Sequence, residues 1–408
     1  MRIAIYTCAY NAEHTLQRTA KSIFAQTISN WTWYLLDNGS TDRTGKMIRG
    51  YAKRDKRIIP LANKKNYVWE PGNTLTEVIK GYDDSDCFCW IDADDAYKPN
   101  FLEKSLAFMV TNHLDIAACG YDFVDAKTKA LIAVRKPDQN VFLEGQEFQT
   151  CFPIYHQFMR TYWAKLFSVS VWRHHDSTHI PTVSYGWDTL FTMETFRNAP
   201  RVGILAESLY KYYVSPKSIS YKWNMKRIEA DRILREATYD FLLAKCGFVS
   251  PRNEEFLLLI YMSALYDTTN VLLHSEIPES EKIAGVIDIF LHRYSKQLAA
   301  RECLGALSFD RQSVAECTRQ RKEMFSSVAQ WLLSREEVPD EQFVQYCDVG
   351  ELTCAVAENA EGWLFFKKLR IRFWVKHGHT DEARTEVAEL AELLPSDREI
   401  AALRSQFL

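Results

Sequence analysis

The sequence lacks several features that would narrow its function at once. Its 50 lysines and arginines nearly balance 53 acidic residues, and a net charge of −3 does not suggest a nucleic-acid binder. The ten cysteines show no metal-ligand spacing, and such free thiols fit a reducing cytosol. The N-terminal run MRIAIYTCAYN predicts a strand rather than a signal peptide, because its apolar part is short. No stretch approaches the roughly 20 apolar residues of a membrane span. We therefore expect a cytoplasmic protein, and we leave open peripheral contact with the inner face of the membrane.

The chain is too long for one ordinary core, so its 408 residues predict two domains. In residues 1–222, strand and helix patterns alternate, which predicts an α/β domain with a doubly wound, mostly parallel sheet. In residues 223–408, apolar residues recur at three- and four-residue spacing, which predicts an all-helical domain. We expect helices at Met225–Lys245, Asn253–His274, Glu279–Leu298 and Asp310–Ser334, and two more within Gly362–Leu408. The helical domain is expected to form oligomers or to bind a partner or the acceptor.

The stretch Trp90–Asp95 brings three carboxylates, Asp92, Asp94 and Asp95, directly after an apolar strand. Like charges about 4 Å apart repel by roughly 1 kcal/mol per pair in water and by several times more inside a protein. A bound cation would relieve this repulsion, and Mg²⁺ or Mn²⁺ suits carboxylate oxygens combined with substrate phosphates. The alternative is a solvated acidic turn that caps the helix beginning near Phe101.

Two further strands of the first domain also end in polar residues. The first ends at Thr7–Asn11 and the second at Asp37–Asp42. Because ligands of open α/β sheets bind at the carboxyl ends of the strands, we expect these ends and Asp92–Asp95 to surround one site.

Five motifs in this order resemble family 2 glycosyltransferases of the GT-A fold. They are Gln26–Thr44 with its Leu36-Asp37-Asn38-Gly39-Ser40 core, the DxD-like run Trp90–Pro99, the acceptor-side strand Tyr162–Phe167, the segment Tyr185–Phe191, and the closing strand and loop Leu209–Ser220. The resemblance covers about residues 1–222. It implies a metal-dependent, inverting transferase that uses a UDP-sugar and acts on a glycan or lipid-linked acceptor.

The resemblance also implies roles for individual residues on the donor side. Asp37 would accept a hydrogen bond from the uracil N3–H, or else be a turn aspartate that caps the next helix. Tyr10 would flank the uracil, or else be an aromatic at the edge of the core. The full set implied to bind the donor nucleotide is Thr7, Ala9, Tyr10, Asp37, Asn38, Asn73, Asp92 and Ala93.

On the sugar side, Asp94 would bind Mn²⁺ or Mg²⁺ at the diphosphate, and Asp95 would shape the site or touch the sugar. Asp188 would be the general base that deprotonates the acceptor hydroxyl, and the alternative is a helix-capping aspartate. The family's usual glutamate before this aspartate is replaced here by Trp187, which would serve as a platform for a sugar ring.

The sequence departs from the family pattern at Glu70-Pro71-Gly72-Asn73, where the usual basic residue is missing. In the helical half, Gly378–Asp397 resembles the second half of a tetratricopeptide repeat. The basic, aromatic segment Lys367–Trp374 suggests contact with an anionic membrane, but an amphipathic helix with its basic residues in water is the favoured interpretation.

We therefore expect a UDP-sugar-dependent glycosyltransferase of bacterial surface polysaccharide synthesis. A GDP- or dTDP-sugar donor is an alternative within the enzyme class. The alternative outside it is a catalytically degenerate GT-A scaffold, or a glycan- or nucleotide-binding protein that works through its helical domain.

Overall fold

The computed structural model describes residues 1–67, 70–176, 180–214, 223–301 and 311–407, with the backbone alone at 70–73, 311–314 and 406. The chain divides into two compact units, Met1–Tyr221 with Glu236–Asn253, and Lys222–Arg235 with Glu254–Leu408. The predicted boundary after residue 222 instead places 236–253 in the helical domain. Hydrogen bonds explain the difference, because Lys245 Nζ donates to the carbonyl of Ala199 at 2.6 Å within the first unit.

Ten strands of the described residues form one sheet. Their bounds are β1 Ile3–Ala9, β2 Trp31–Asn38, β3 Ile58–Asn63, β4 Cys87–Trp90, β5 Ala96–Tyr97, β6 Ile116–Asp125, β7 Leu131–Arg135, β8 Val141–Leu143, β9 Lys165–Ser168 and β10 Val202–Val214. The order is β3-β2-β1-β4-β9-β6-β10-β5, with β7 paired to β6 and β8 to β10.

The first four strands of this order are parallel, as the alternation of strands and helices predicted. Strand β1 is apolar and buried for most of its length, which is typical of a parallel strand covered on both faces. The register sets Ala9 opposite Asp37 and Tyr6 opposite Trp90. The carboxyl ends of β1, β2 and β4 therefore meet at one edge.

The remainder of the sheet is mixed. Strand β9 lies antiparallel between β4 and β6, and β5, β7 and β8 are also antiparallel to their partners, while β6 and β10 are parallel. Strand direction depends on pairing between distant segments, so local sequence patterns carry no signal for it.

The helices of the described residues are α1 Leu16–Phe24, α2 Thr44–Arg54, α3 Glu70–Ile79, α4 Phe101–Thr111, α5 Glu147–Thr150, α6 Phe152–Met159, α7 Val169–Arg173, α8 Trp187–Asn198, α9 Lys226–Cys246, α10 Pro251–Leu273, α11 Glu279–Leu291, α12 Arg293–Ala299, α13 Arg311–Leu333, α14 Phe343–Val356, α15 Ala360–His377, α16 Thr380–Leu393 and α17 Arg398–Gln406, with a 3-10 turn at Asp340–Gln342. Helix α1 buries Leu16, Ala20 and Ile23, which is the apolar face that its spacing predicts.

The second unit is helical throughout its described residues, as expected, but its helices differ in detail from the prediction. The helix expected at Glu279–Leu298 is two helices, because His292 adopts an extended conformation between them and caps the second. Helix α14 was not predicted, and the tail carries three helices where two were expected. A core that includes Met262, Phe290 and Phe325 joins α10, α11 and α13, and a second core that includes Val387 and Ile400 joins α16 and α17.

Among the described residues, helix α10 is long and apolar enough to cross a membrane by length and composition. The expectation that no stretch approaches such a length is therefore wrong. Half of its apolar window is nevertheless buried inside the protein, as in an ordinary core helix, so the match is weak support for a span.

Candidate active site

The acidic turn after β4 brings its three carboxylates together. Asp92, Asp94 and Asp95 each offer an oxygen, and these oxygens lie within 4.8 Å of one another. Asp94 is exposed, Asp92 is partly buried, and Asp95 is fully buried. Ala93 lies between them and is partly buried. The turn therefore presents one open carboxylate above two increasingly buried ones.

The buried carboxylate is already bonded to the strand that closes the site. Asp95 Oδ2 accepts a hydrogen bond from Tyr210 Oη at 2.7 Å, and Oδ1 accepts one from the backbone N–H of Tyr213 at 2.8 Å. Burial, and then the neighbouring aspartates, raise the pKa of Asp95 well above its ordinary value. Asp95 thus anchors β10 to the turn, and both of its oxygens are hydrogen-bonded within the protein.

Asp92 is the electrostatic centre of the turn. Burial, and next the charge of Asp94, raise its pKa to about 7, while a 2.8 Å hydrogen bond from Tyr162 Oη opposes the rise. A divalent cation would favour the ionised form here, and an all-oxygen donor set suits Mg²⁺ or Mn²⁺. The residues present therefore fit the metal that the sequence predicts.

Helix α1 fixes the backbone of this turn, which the sequence alone did not reveal. Thr19 Oγ1 donates to the carbonyl of Asp95 at 2.8 Å, and the Arg18 guanidinium donates to the carbonyl of Asp94. The Arg18 Cζ atom lies 3.6 Å from the centroid of the Tyr213 ring. The sequence signal that could have revealed these contacts is the position of α1 directly after β1, because a helix that follows a parallel strand begins at the edge where ligands bind.

The first strand contributes one open side chain and two buried ones. Thr7 is fully buried and accepts a hydrogen bond from Trp33 Nε1 at 3.0 Å. Ala9 is also fully buried, whereas Tyr10 is 46% exposed at the carboxyl end of the strand. Of the three residues predicted to line a base pocket, Tyr10 has the most surface available for a planar ligand.

The second strand ends in a tightly bonded turn. Asp37 Oδ1 accepts a hydrogen bond from the N–H of Ser40 at 2.9 Å. Buried Asn38 donates to the side chain of Asn66 and to the carbonyl of Tyr67, and its own oxygen accepts from Asn63 and Tyr67. The side-chain amide of Asn38 thereby joins the end of β2 to the neighbouring loop.

Glycine is required at position 39, directly after Asp37 and Asn38, where the chain packs against the loop at Lys65. Gly39 has a φ of +76°, and a Cβ there would lie 2.3 Å from the carbonyl carbon of Lys65. Asn73, also predicted to bind the donor, lies on α3, and its side chain is outside the described residues.

Asp188 lies in the first turn of α8, which begins after Gly186 with a φ of +78°. Burial raises the pKa of Asp188, and the N–H of Thr189 and the cations Arg160 and Lys165 oppose the rise. Its charge also contributes to the raised pKa of Asp92, so the two carboxylates share one electrostatic environment.

The segment before β9 holds Tyr162 against Asp92, a contact that the sequence did not reveal, and the charge of Asp188 also acts on Tyr162. Burial lowers the pKa of Lys165 to about 7. Its Nζ donates to Thr161 Oγ1 and to the carbonyl of Trp163, both at 3.1 Å. The Tyr162 ring packs on Trp90, with centroids 4.4 Å apart. A buried lysine thus fixes the loop whose tyrosine contacts the acidic turn.

Trp187, predicted as a sugar platform, is partly buried at the start of α8 and packs on Phe191, with ring centroids 4.9 Å apart. Phe191 in turn lies 6.1 Å from Trp90, the last residue of β4. The aromatic groups therefore link the start of α8 to the acidic turn.

Residues 4–170 match the sequence profile of Glycosyl transferase family 2. The uncharacterized glycosyltransferase EpsJ of Bacillus subtilis is 25% identical over 226 residues, which are 53% of this chain and 62% of EpsJ. An uncharacterized glycosyltransferase of Haemophilus influenzae is 26% identical over 291 residues, 68% of this chain and 84% of that protein. The chain thus spans less than two thirds of the length of the first of these relatives.

Two further similarities concern proteins with named ligands. WfgD of Escherichia coli, a UDP-Glc:alpha-D-GlcNAc-diphosphoundecaprenol beta-1,3-glucosyltransferase, is 27% identical over 123 residues, 30% of this chain and 47% of WfgD. The crystal structure of S. aureus TarS 1-349 in complex with UDP-GlcNAc has a TM-score of 0.46 at 14% identity, over 93% of this chain and 92% of that chain. This TM-score is too low to support an argument about the present chain.

Proposed function

Because residues 4–170 belong to glycosyl transferase family 2, we propose that this chain transfers a sugar from a UDP-sugar to a hydroxyl group of a glycan or lipid-linked acceptor. The reaction inverts the anomeric centre and serves bacterial surface polysaccharide synthesis. The observation that supports this most is the acidic turn beside a fourth carboxylate, Asp188, in one electrostatic environment. The name of WfgD supports the same classes of donor and acceptor.

The nucleotide binds where the carboxyl ends of β1 and β2 meet. Exposed Tyr10 offers an aromatic face for uracil, and Asp37, opposite Ala9 in the register, offers a carboxylate for the uracil N3–H. An imide N–H and a carboxylate form a charge-assisted hydrogen bond, which would select uracil over a base that presents an acceptor there.

The diphosphate binds above the acidic turn. Asp94, with Asp92 beside it, would hold the divalent cation, since both oxygens of Asp95 are taken by β10. When bound, Mn²⁺ or Mg²⁺ would neutralise charge on the departing UDP. The guanidinium of Arg18, which lies over the Tyr213 ring, provides a positive charge beside the acidic turn. This charge compensates in part for the basic residue that is missing before Asn73.

Asp188 acts as the general base. The acceptor oxygen forms a bond to the anomeric carbon and gives its proton to the carboxylate of Asp188. The bond between the anomeric carbon and the diphosphate breaks, and UDP leaves with the electron pair. A raised pKa suits this role, because it brings the base closer to the pH at which the enzyme works. Trp187, next to the base, offers an apolar face for the acceptor ring.

The test is the release of UDP from UDP-sugars in the presence of Mn²⁺ without an acceptor. A transferase of this kind hydrolyses its donor slowly, and removing Mn²⁺ with a chelator abolishes the release. A panel of GDP- and dTDP-sugars measures donor choice in the same assay. Release from none of these donors would contradict the proposal and favour a degenerate scaffold that works through its helical unit.

A further inference from the structure

An exposed apolar strand follows β6 in the first unit. The basic hairpin, which we define as residues 126–136, carries Leu131, Ile132 and Val134 with exposed fractions of 59%, 57% and 48%. These are three large apolar side chains within four positions on β7, which pairs only with β6 in the described sheet. Proteins usually protect such edge strands, and clustered exposed apolar side chains mark interaction surfaces.

The same hairpin is strongly positive. It contains Lys127, Lys129, Arg135 and Lys136 and no acidic residue. Within the part of the chain that the structure describes, none of the four forms a salt bridge. Lys127, Lys129 and Lys136 are exposed, and Arg135 is partly buried beside Tyr121. Lys129 lies close enough to Asp125, the residue before the hairpin, to contribute to the lowered pKa of that carboxyl, so the charge of the hairpin is partly balanced there. Apolar side chains bordered by exposed cations complement an anionic, amphipathic surface.

The other basic segment of the chain does not have this character. On α15, Lys367, Lys368, Arg370 and Arg372 are each paired with carboxylates of the helical unit. Their charge is therefore neutralised within the protein. Within the described residues, the segment Lys367–Trp374, for which the sequence suggested a membrane contact, therefore offers no unpaired cation to support it.

The basic hairpin lies next to the candidate active site. The backbone N–H of Ala126 donates to the carbonyl of Val214 at 3.0 Å, and Lys129 Nζ lies 5.3 Å from the centroid of the Tyr213 ring. The N–H of Tyr213 is the donor to Asp95 in the acidic turn. Whatever binds the hairpin therefore lies close to the site.

We propose that the basic hairpin docks onto an anionic lipid bilayer, with Leu131, Ile132 and Val134 entering the headgroup region and its cations facing lipid phosphates. A second copy of the chain fits less well. Symmetric strand pairing would bring two sets of four cations together, and the irregular register between β6 and β7 at Phe123 and Val124 disturbs the edge. The docking itself does not depend on the proposed function. Only the further step, in which the bilayer presents a lipid-linked acceptor to the site, rests on that function.

The experiment is flotation of the full chain with vesicles of phosphatidylcholine alone or mixed equally with phosphatidylglycerol. We expect binding to the anionic vesicles that weakens with added salt. Replacing Leu131, Ile132 and Val134 together by threonine, which keeps strand propensity, should weaken binding at least about 10-fold. Replacing Lys127 and Lys136 by glutamine should weaken it roughly 25-fold, since each cation near an anionic surface contributes about a factor of five.

Matched controls carry the same substitutions elsewhere. Val110, Ile154 and Leu393 are 51%, 44% and 67% exposed, and their joint replacement by threonine should leave vesicle binding unchanged. Exposed Lys46 and Lys53 serve the same purpose for the glutamine pair.

Three results would overturn the proposal. The first is that the wild-type chain does not bind anionic vesicles, and the second is that the hairpin variants bind them as well as the wild type does. The third is that the chain does not bind vesicles but forms a dimer, seen by light scattering, that the threonine variant alone fails to form. The last result would assign the strand to a second copy. Because donor hydrolysis needs no membrane, failure of the docking and failure of the proposed activity are separate observations.

Discussion

Replacing Asp188 by asparagine should separate binding from chemistry. Asparagine has nearly the same shape and keeps its place in the first turn of α8, but its amide cannot take up the acceptor proton. Loss of a positioned general base typically slows a reaction 10²- to 10⁴-fold, so we expect kcat for transfer to fall by about 10³.

Nucleotide affinity should respond differently. The charge of Asp188 contributes to the raised pKa of Asp92, so its removal makes Asp92 easier to ionise. UDP binding in the presence of Mn²⁺ should therefore be unchanged or up to a few-fold tighter. The cations opposite Asp188, Arg160 and Lys165, lose a partner, and the Lys165 ammonium becomes easier to deprotonate.

The pH dependence gives a second readout. Burial places the pKa of Asp188 above the ordinary 3.8, and the group must be ionised to act as a base. The wild-type kcat should therefore fall as pH decreases through this raised value, and the asparagine variant should lose that limb of the profile. The assay is UDP release with a glycan acceptor, with calorimetry for affinity and exposed Asp138→Asn as the control. A parallel loss of affinity and rate, or an unchanged rate, would refute the assignment of Asp188 as the base.

Three further changes test the metal site, the turn after β2 and the helical unit. Asp94→Ala should abolish the tightening of UDP binding by Mn²⁺ in calorimetry, and unchanged tightening would place the metal elsewhere. Gly39→Ala should lower the free energy of unfolding by more than the roughly 1–2 kcal/mol that an alanine costs in the left-handed conformation, because its Cβ would also overlap Lys65. The control is Gly145→Ala, at a φ of +56° with no neighbour within 4 Å, which should cost the backbone strain alone. Equal losses in denaturant melts would remove the overlap argument. Arg370→Met should destabilise the helical unit by about 1.5–3 kcal/mol, because buried Glu386 and partly buried Glu351 lose one of their two cations and keep Lys367; a change below about 1 kcal/mol would contradict a buried network.

The sequence allowed the ends of β1, β2 and β4 to be predicted, because a buried apolar run that meets polar residues is a local signal. The clustering of Asp92, Asp94 and Asp95 followed from their spacing in one turn. The predicted resemblance to family 2 glycosyltransferases is confirmed over residues 4–170, and the predicted parallel pairing is confirmed for the first strands of the sheet. The roles of the individual site residues stay predictions.

The contacts that the sequence could not predict join residues that are far apart in the chain. Arg18 and Thr19 contact backbone carbonyls of the acidic turn, and Tyr162 reaches Asp92 from a loop that Lys165 fixes. No local pattern encodes such pairs, and the antiparallel insertion of β9 between β4 and β6 is of the same kind. Helix α14 was missed because its apolar residues surround the helix rather than forming one stripe.

Titration of the protein with UDP, GDP and dTDP, with and without Mn²⁺, tests the central claim most directly. The account predicts that UDP binds in preference to the other two and that Mn²⁺ tightens its binding. Absence of nucleotide binding under both conditions, or equal affinity for all three regardless of the metal, would contradict it.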